Sequence, residues 1–139
     1  MAITFNTDRL DGLVGTAING VYGRIQSVSV KKYDAVTRPS NEHPGENETI
    51  AAHFMIMYDV VLHASAVKRN ADGESPEWGN RLRSREIDHF TATVTTDQMN
   101  AADANGYTLA YADLKTRLAA TRDNNNNVIE PVATSIADA

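Results

Sequence analysis

The chain has 139 residues, no cysteine and a formal charge of −5. That length suits one domain with one modest core. The acidic balance disfavours general nucleic-acid binding, and the missing thiols remove disulfides, thiolate metal sites and cysteine nucleophiles.

The opening stretch MAITFNTDRLDG lacks the basic-then-apolar order of a secretory signal, so a protein made in a cytoplasm is expected. Ile3 and Phe5 alternate with polar neighbours as in a short strand. Gly12, Gly15, Gly20 and Gly23 follow too closely for a helix and without the dinucleotide-binding spacing, which predicts a flexible connection. Residues 21–33 read as the first main strand. Val21 and Ile25 share one parity and Val28 and Val30 the other, so a bulge near Gln26 or Ser27 is predicted. Residues 37–49, polar with two prolines and a glycine, predict a long loop.

Residues 51–67, AAHFMIMYDVVLHASAV, predict the second and longest strand. Phe54, Ile56, Tyr58, Val60 and Leu62 form an apolar face. The alternate face, with Met55, Met57, Val61 and Val67, is half-apolar. Asp59 and His63 interrupt the run, and its period is that of a strand, which argues against a membrane span. A second polar loop, with Trp78, covers residues 68–80. Residues 81–94 predict a third strand, with a bulge near Asp88 to bring Ile87 into phase with Phe90, Ala92 and Val94.

Thr95 and Gln98 match a helix capping box. Tyr107, Ala110, Tyr111, Leu114 and Leu118 make one helical stripe, which Asn105-Gly106 kinks or splits from a first short helix. The run DNNNN at 123–127 ends it. The predicted fold is α+β, mainly β: an antiparallel meander of three long strands with one C-terminal helix packed on the sheet. It forms a single domain over 1–139, with its core at about 19–121. Residues 1–18 and 123–139, poor in apolar surface, are expected as extended arms laid on a neighbour, anchored by Val128, Ile129 and Val132 at the C-terminal side.

Few residues suggest chemistry. His53 and His63 lie on one strand face about 33 Å apart, too far to share a metal, while His89 on the next strand is placed to approach His63 if the register allows. Arg81, Arg83 and Arg85 alternate, so three guanidinium groups about 7 Å apart would form a docking strip for an acidic partner, with Lys68 and Arg69 across the hairpin. No nucleophile elbow or defined carboxylate pair is present. Catalytic residues, cofactors, metals and a small-molecule substrate are therefore not expected.

Two stretches carry a resemblance: NGVYGRIQSVSVKK at 19–32 and LAYADLKTRL at 109–118. Tyr22, Arg24 and Ile25, then Ala110, Tyr111, Leu114, Lys115 and Thr116, match an AYxRI-like strand and an AYxxLKT helix. In this order they resemble a group of small structural proteins of tailed bacteriophage virions, over about a third of the chain. The resemblance implies a non-enzymatic virion component of the tail or baseplate, with no catalytic residues to transfer. It implies a homo-oligomer that contacts other virion proteins and has no membrane partner. On that expectation Met55, Met57, Val61, Arg81, Arg83 and Arg85 join the arm anchors as subunit-interface residues. A capsid decoration protein and a stand-alone module using the arginine strip are the alternatives.

Overall fold

The computed structural model describes residues 2–64, 81–101 and 104–139. The expected polar loop at 68–80 and the partner-facing Val67 lie outside the described residues. The fold is α+β and mainly β, as the periodicities predict. The strands are β1 (Ile3–Thr7), β2 (Ile18–Tyr33), β3 (Val36–Pro39), β4 (Asn47–Ile50), β5 (His53–His63), β6 (Arg81–Leu82), β7 (His89–Thr95) and β8 (Ala133–Asp138). The helices are α1 (Thr96–Asn100) and α2 (Gly106–Leu118). One antiparallel sheet has the order β6-β5-β2-β1-β8, with β7 also pairing β5; β3 and β4 form a separate hairpin.

The meander β2-β5-β7 is the predicted one. Pairing of β2 with β5 passes from Ile25↔Val60 to Ser27↔Asp59, so Gln26 is the predicted bulge. It turns Val21 and Ile25, buried before it, and Val28 after it, toward the same core. The third strand is more broken than a single bulge. Residues 83–87 leave the sheet between β6 and β7 while Ile87 stays buried in the core, and Asp88 O, at the expected irregularity, accepts from the Val60 amide of β5 (2.7 Å). This excursion is held by the chain after β1: Asp11 N–H donates to Arg83 O (2.8 Å), Ser84 Oγ donates to Arg9 O (2.6 Å), and Arg9 pairs with Glu86 (3.0 Å).

Both helices begin with a capping box, Thr95 with Gln98 and Asn105 with Thr108, so the Asn105-Gly106 break is a split. Helix α2 buries Ala110, Tyr111, Leu114 and Leu118, but Tyr107 at its first turn is 48 % exposed. A side chain at Gly106 would meet Val28 at 3.0 Å and Val30 at 3.2 Å, so glycine lets the start of α2 lie against β2.

The expected terminal arms are instead part of the sheet. Strand β1 lies between β2 and β8, with Ile3 and Phe5 buried. Strand β8 pairs with β1, and Thr7 Oγ1 donates to Val132 O (2.7 Å). Val132, proposed as an interface anchor, packs against this chain's own core. The DNNNN run is an ordered turn: the Asp123 carboxylate accepts from the Asn125 and Asn127 amides (2.9 Å each), which holds it below the usual carboxylate range. The physical reason is pairing between ends of the chain. β1 and β8 supply each other's backbone partners, and each then needs few apolar side chains of its own.

Candidate functional site

Two faces of β5 have different fates. Ile56, Tyr58, Val60 and Leu62 are buried beneath α2 and its surroundings, with Phe54 half-buried at the rim. Residues directly opposite in antiparallel strands share a face. The register therefore sets the alternate face in rows across β2, β5 and β7: Ser27–Asp59–His89, Ser29–Met57–Thr91, Lys31–Met55–Thr93 and Tyr33–His53–Thr95. Met55 and Met57 are half-buried at the centre of these rows, and Ser29, Lys31, Thr91 and Thr93 around them are exposed. This is an open three-stranded face with a soft apolar middle and a hydroxyl-rich border.

Its polar row is internally bonded. Ser27 Oγ donates to Asp59 Oδ2 (2.7 Å), and His89 Nδ1 lies 2.7 Å from Asp59 Oδ1. The Ser27 hydroxyl and then His89 hold the Asp59 carboxyl below its ordinary range. His89 thus faces Asp59, and the register rules out the expected approach to His63. At the other end of the face, Tyr33 and His53 stack at 5.2 Å with rings 7° from parallel.

Val61 departs from the expectation of an exposed interface residue, because it is 2 % exposed. Its opposite neighbour is Arg24, and that of the equally buried His63 is Tyr22, whose ring lies 6.4 Å from the imidazole. This end of the face is therefore covered within the subunit. Arg81, Arg83 and Arg85 do not form a strand-borne strip. Only Arg81 is in β6, where its Nη2 donates to Gln26 (3.2 Å), while Arg83 and Arg85 are exposed in the excursion. Val128 and Ile129 are exposed, 75 % and 37 %.

The segment expected as a loop at 37–49 is the hairpin β3–β4. Thr37 bonds Thr49 across it (3.3 Å) and Arg38 pairs with Glu48 (2.7 Å). Val36 and Ile50 face each other at its base, 51 % and 36 % exposed. Its tip, residues 40–46, closes through Ser40 N–H to Glu46 O (2.9 Å), with Gly45 at φ +89°, and carries the exposed Glu42 and Glu46. The β-branched pair Val36-Thr37 opposite Thr49-Ile50 was the available signal for these strands.

A groove of about 520 Å³ lies where β2 meets the first turns of α2, lined by Tyr22, Arg24, Ile25, Asn105, Tyr107, Thr108 and Tyr111. Tyr111 Oη accepts from the Ile25 amide (2.8 Å) and so fixes the groove floor. Behind the sheet, Tyr58 Oη donates to Asp113 Oδ2 (2.5 Å), and Arg117 Nε donates to the same oxygen (2.6 Å). Burial, and then the Asp113 carboxylate, push the Tyr58 hydroxyl far above the ordinary phenol value. A raised pKa contributes stability below the unfolded value, about 10, that is lost as pH rises above it. Stability should fall above about pH 10, and Tyr58→Phe should flatten that fall by about 1 kcal/mol per pH unit in urea titrations. Wild-type and Tyr58→Phe curves that run parallel there would contradict this assignment.

Among the described residues no group of three or more His, Asp or Glu side chains is placed to hold a metal ion, and no helix is long and apolar enough to cross a membrane. No family model matches the chain, and no curated protein or solved structure matches it.

Proposed function

We propose that this chain is a non-enzymatic structural subunit of a bacteriophage virion, in the tail or baseplate, that works by assembling with copies of itself and with other virion proteins. It is made in the host cytoplasm and resides in the particle. The carrying observation is the uncovered half of the long β2–β5 ladder and its hairpin extension. There Met55 and Met57 are half-buried on an open sheet face, and Val36 and Ile50 are exposed at the hairpin base. Methionine's flexible thioether suits irregular contacts between subunits. A β3–β4 hairpin with a cross-strand ion pair and an apolar base is a shaped projection, which suits contact with a neighbour.

The phage assignment is supported by the resemblance, whose two stretches meet in the fold. The strand at 19–32 is β2 and the helix at 109–118 belongs to α2, and Ile25 of one bonds Tyr111 of the other. Native mass spectrometry of the purified chain tests the reading. A ring or another discrete oligomer is expected; a monomer at all concentrations contradicts it.

A further inference from the structure

Among the described residues, β7 pairs with β5 and has no strand on its other side, so it is an edge of the sheet. Hydrogen bonds at its ends fix which backbone groups face outward. Thr95 N–H donates to Gln98 Oε1 (2.8 Å), and Val60 N–H donates to Asp88 O (2.7 Å). These mark Thr95–His53 and His89–Asp59 as opposed residues that exchange no bond with each other. The register between them is unbroken, so Thr91–Met57 and Thr93–Met55 are of the same kind. The N–H and C=O of Thr91 and Thr93 therefore point away from β5. Their side chains are exposed and β-branched, which suits an extended neighbour. Such an edge is a template for another strand.

The protein's own side chains occupy part of that template. Arg117 places its guanidinium over the Phe90 ring (5.2 Å) and bonds Asp113 through Nε (2.6 Å). Its Nη2 donates to Thr91 O, so the side chain reaches from α2 on the core face round to the outer edge. Gln98 of the capping box does the same for the Thr95 amide. The edge is complementary to itself. In an antiparallel pair about a two-fold axis beside Ala92, Thr91 stands opposite Thr93 of the partner subunit, and threonines opposite each other pair well. That pairing uses Thr91 O as the acceptor for the partner's Thr93 amide, which is the atom Arg117 holds.

We propose that Arg117 is an autoinhibitory latch on β7, and that its release opens a strand-pairing surface whose partner is β7 of a second copy. This goes beyond the assembly reading and does not rest on it, because the surface is the edge of the sheet and not its open face.

Sedimentation velocity on the full chain, over a concentration series, compares each variant with wild type. Arg117→Ala removes the latch. Arg117→Met removes its donors but keeps a helix-favouring stem over Phe90, so it stays informative if Arg117→Ala does not fold. Both should form a species of twice the wild-type mass at concentrations about tenfold below any at which wild type does so. Thr93→Pro is the deciding addition. It deletes an outward N–H that β5 does not use, a change that an edge strand tolerates. Combined with either Arg117 variant, it should return the mass to that of wild type. Arg117 variants that associate like wild type overturn the inference. Extra association that survives Thr93→Pro also overturns it, because exposed apolar surface and not the edge would then be the cause.

Discussion

Ile56→Asp should cost about 3–5 kcal/mol of folding stability, a large share of the roughly 5–15 kcal/mol that a domain possesses. Ile56 is fully buried in the middle of β5, between Val30 and Ala92 on the flanking strands and among the apolar side chains that α2 covers. A carboxylate there would lose its water without gaining a cation or a donor. It would then either sit uncompensated or take up a proton, and both routes cost free energy. Urea denaturation of the variant measures the loss. A midpoint unchanged from wild type would mean that the core face of β5 has been misassigned.

Phe5→Ala should cost nearly as much, about 3–5 kcal/mol. The substitution distinguishes a sheet-bound N-terminus from a free arm. Phe5 is 1 % exposed, and its ring sits so close over Gly23 that a β-carbon there would lie 3.0 Å from it. Truncation leaves a cavity between β1, β2 and the neighbouring core, because glycine on the facing strand has no side chain to move in. For a terminal arm lying on another subunit, the same change would leave the isolated chain's melting temperature alone. A cost below about 1 kcal/mol would restore the arm.

The elements legible in the sequence were those whose signal is local. The Gln26 bulge showed as a parity switch between Ile25 and Val28, and α2 showed as a stripe at spacings of three and four. The β5 core face showed as an unbroken alternation. The pairing of β1 with β8 was hidden because its partners stand at opposite ends of the chain, and neither strand looks self-sufficient without the other. The excursion at 83–87 depends on Asp11 and Arg9, which only the fold brings beside it. Val61 has the same local pattern as Met57, and only the fold distinguishes the buried residue from the half-buried one. The hairpin was obscured by its composition, since prolines, glycine and charges outweigh four β-branched residues in a linear reading.

The candidate surface divides along the same line. Alternation along β5 was enough to single out Met55 and Met57, and both remain on the open face. The groove joins Tyr22 and Arg24 to Tyr107 across 83 residues or more of chain, so no spacing rule could have assembled it.

Met57→Asp tests the central claim most directly, that the open face of the sheet is an assembly surface. Met57 is the immediate neighbour of Ile56 but lies on the other side of the sheet, with Ser29 and Thr91 beside it. Sedimentation velocity beside a thermal melt gives both readouts on one sample. The melting temperature should stay within about 3 °C of wild type, a change worth less than about 1 kcal/mol, while the oligomer is lost. A variant that unfolds, or one that assembles like wild type, would contradict it.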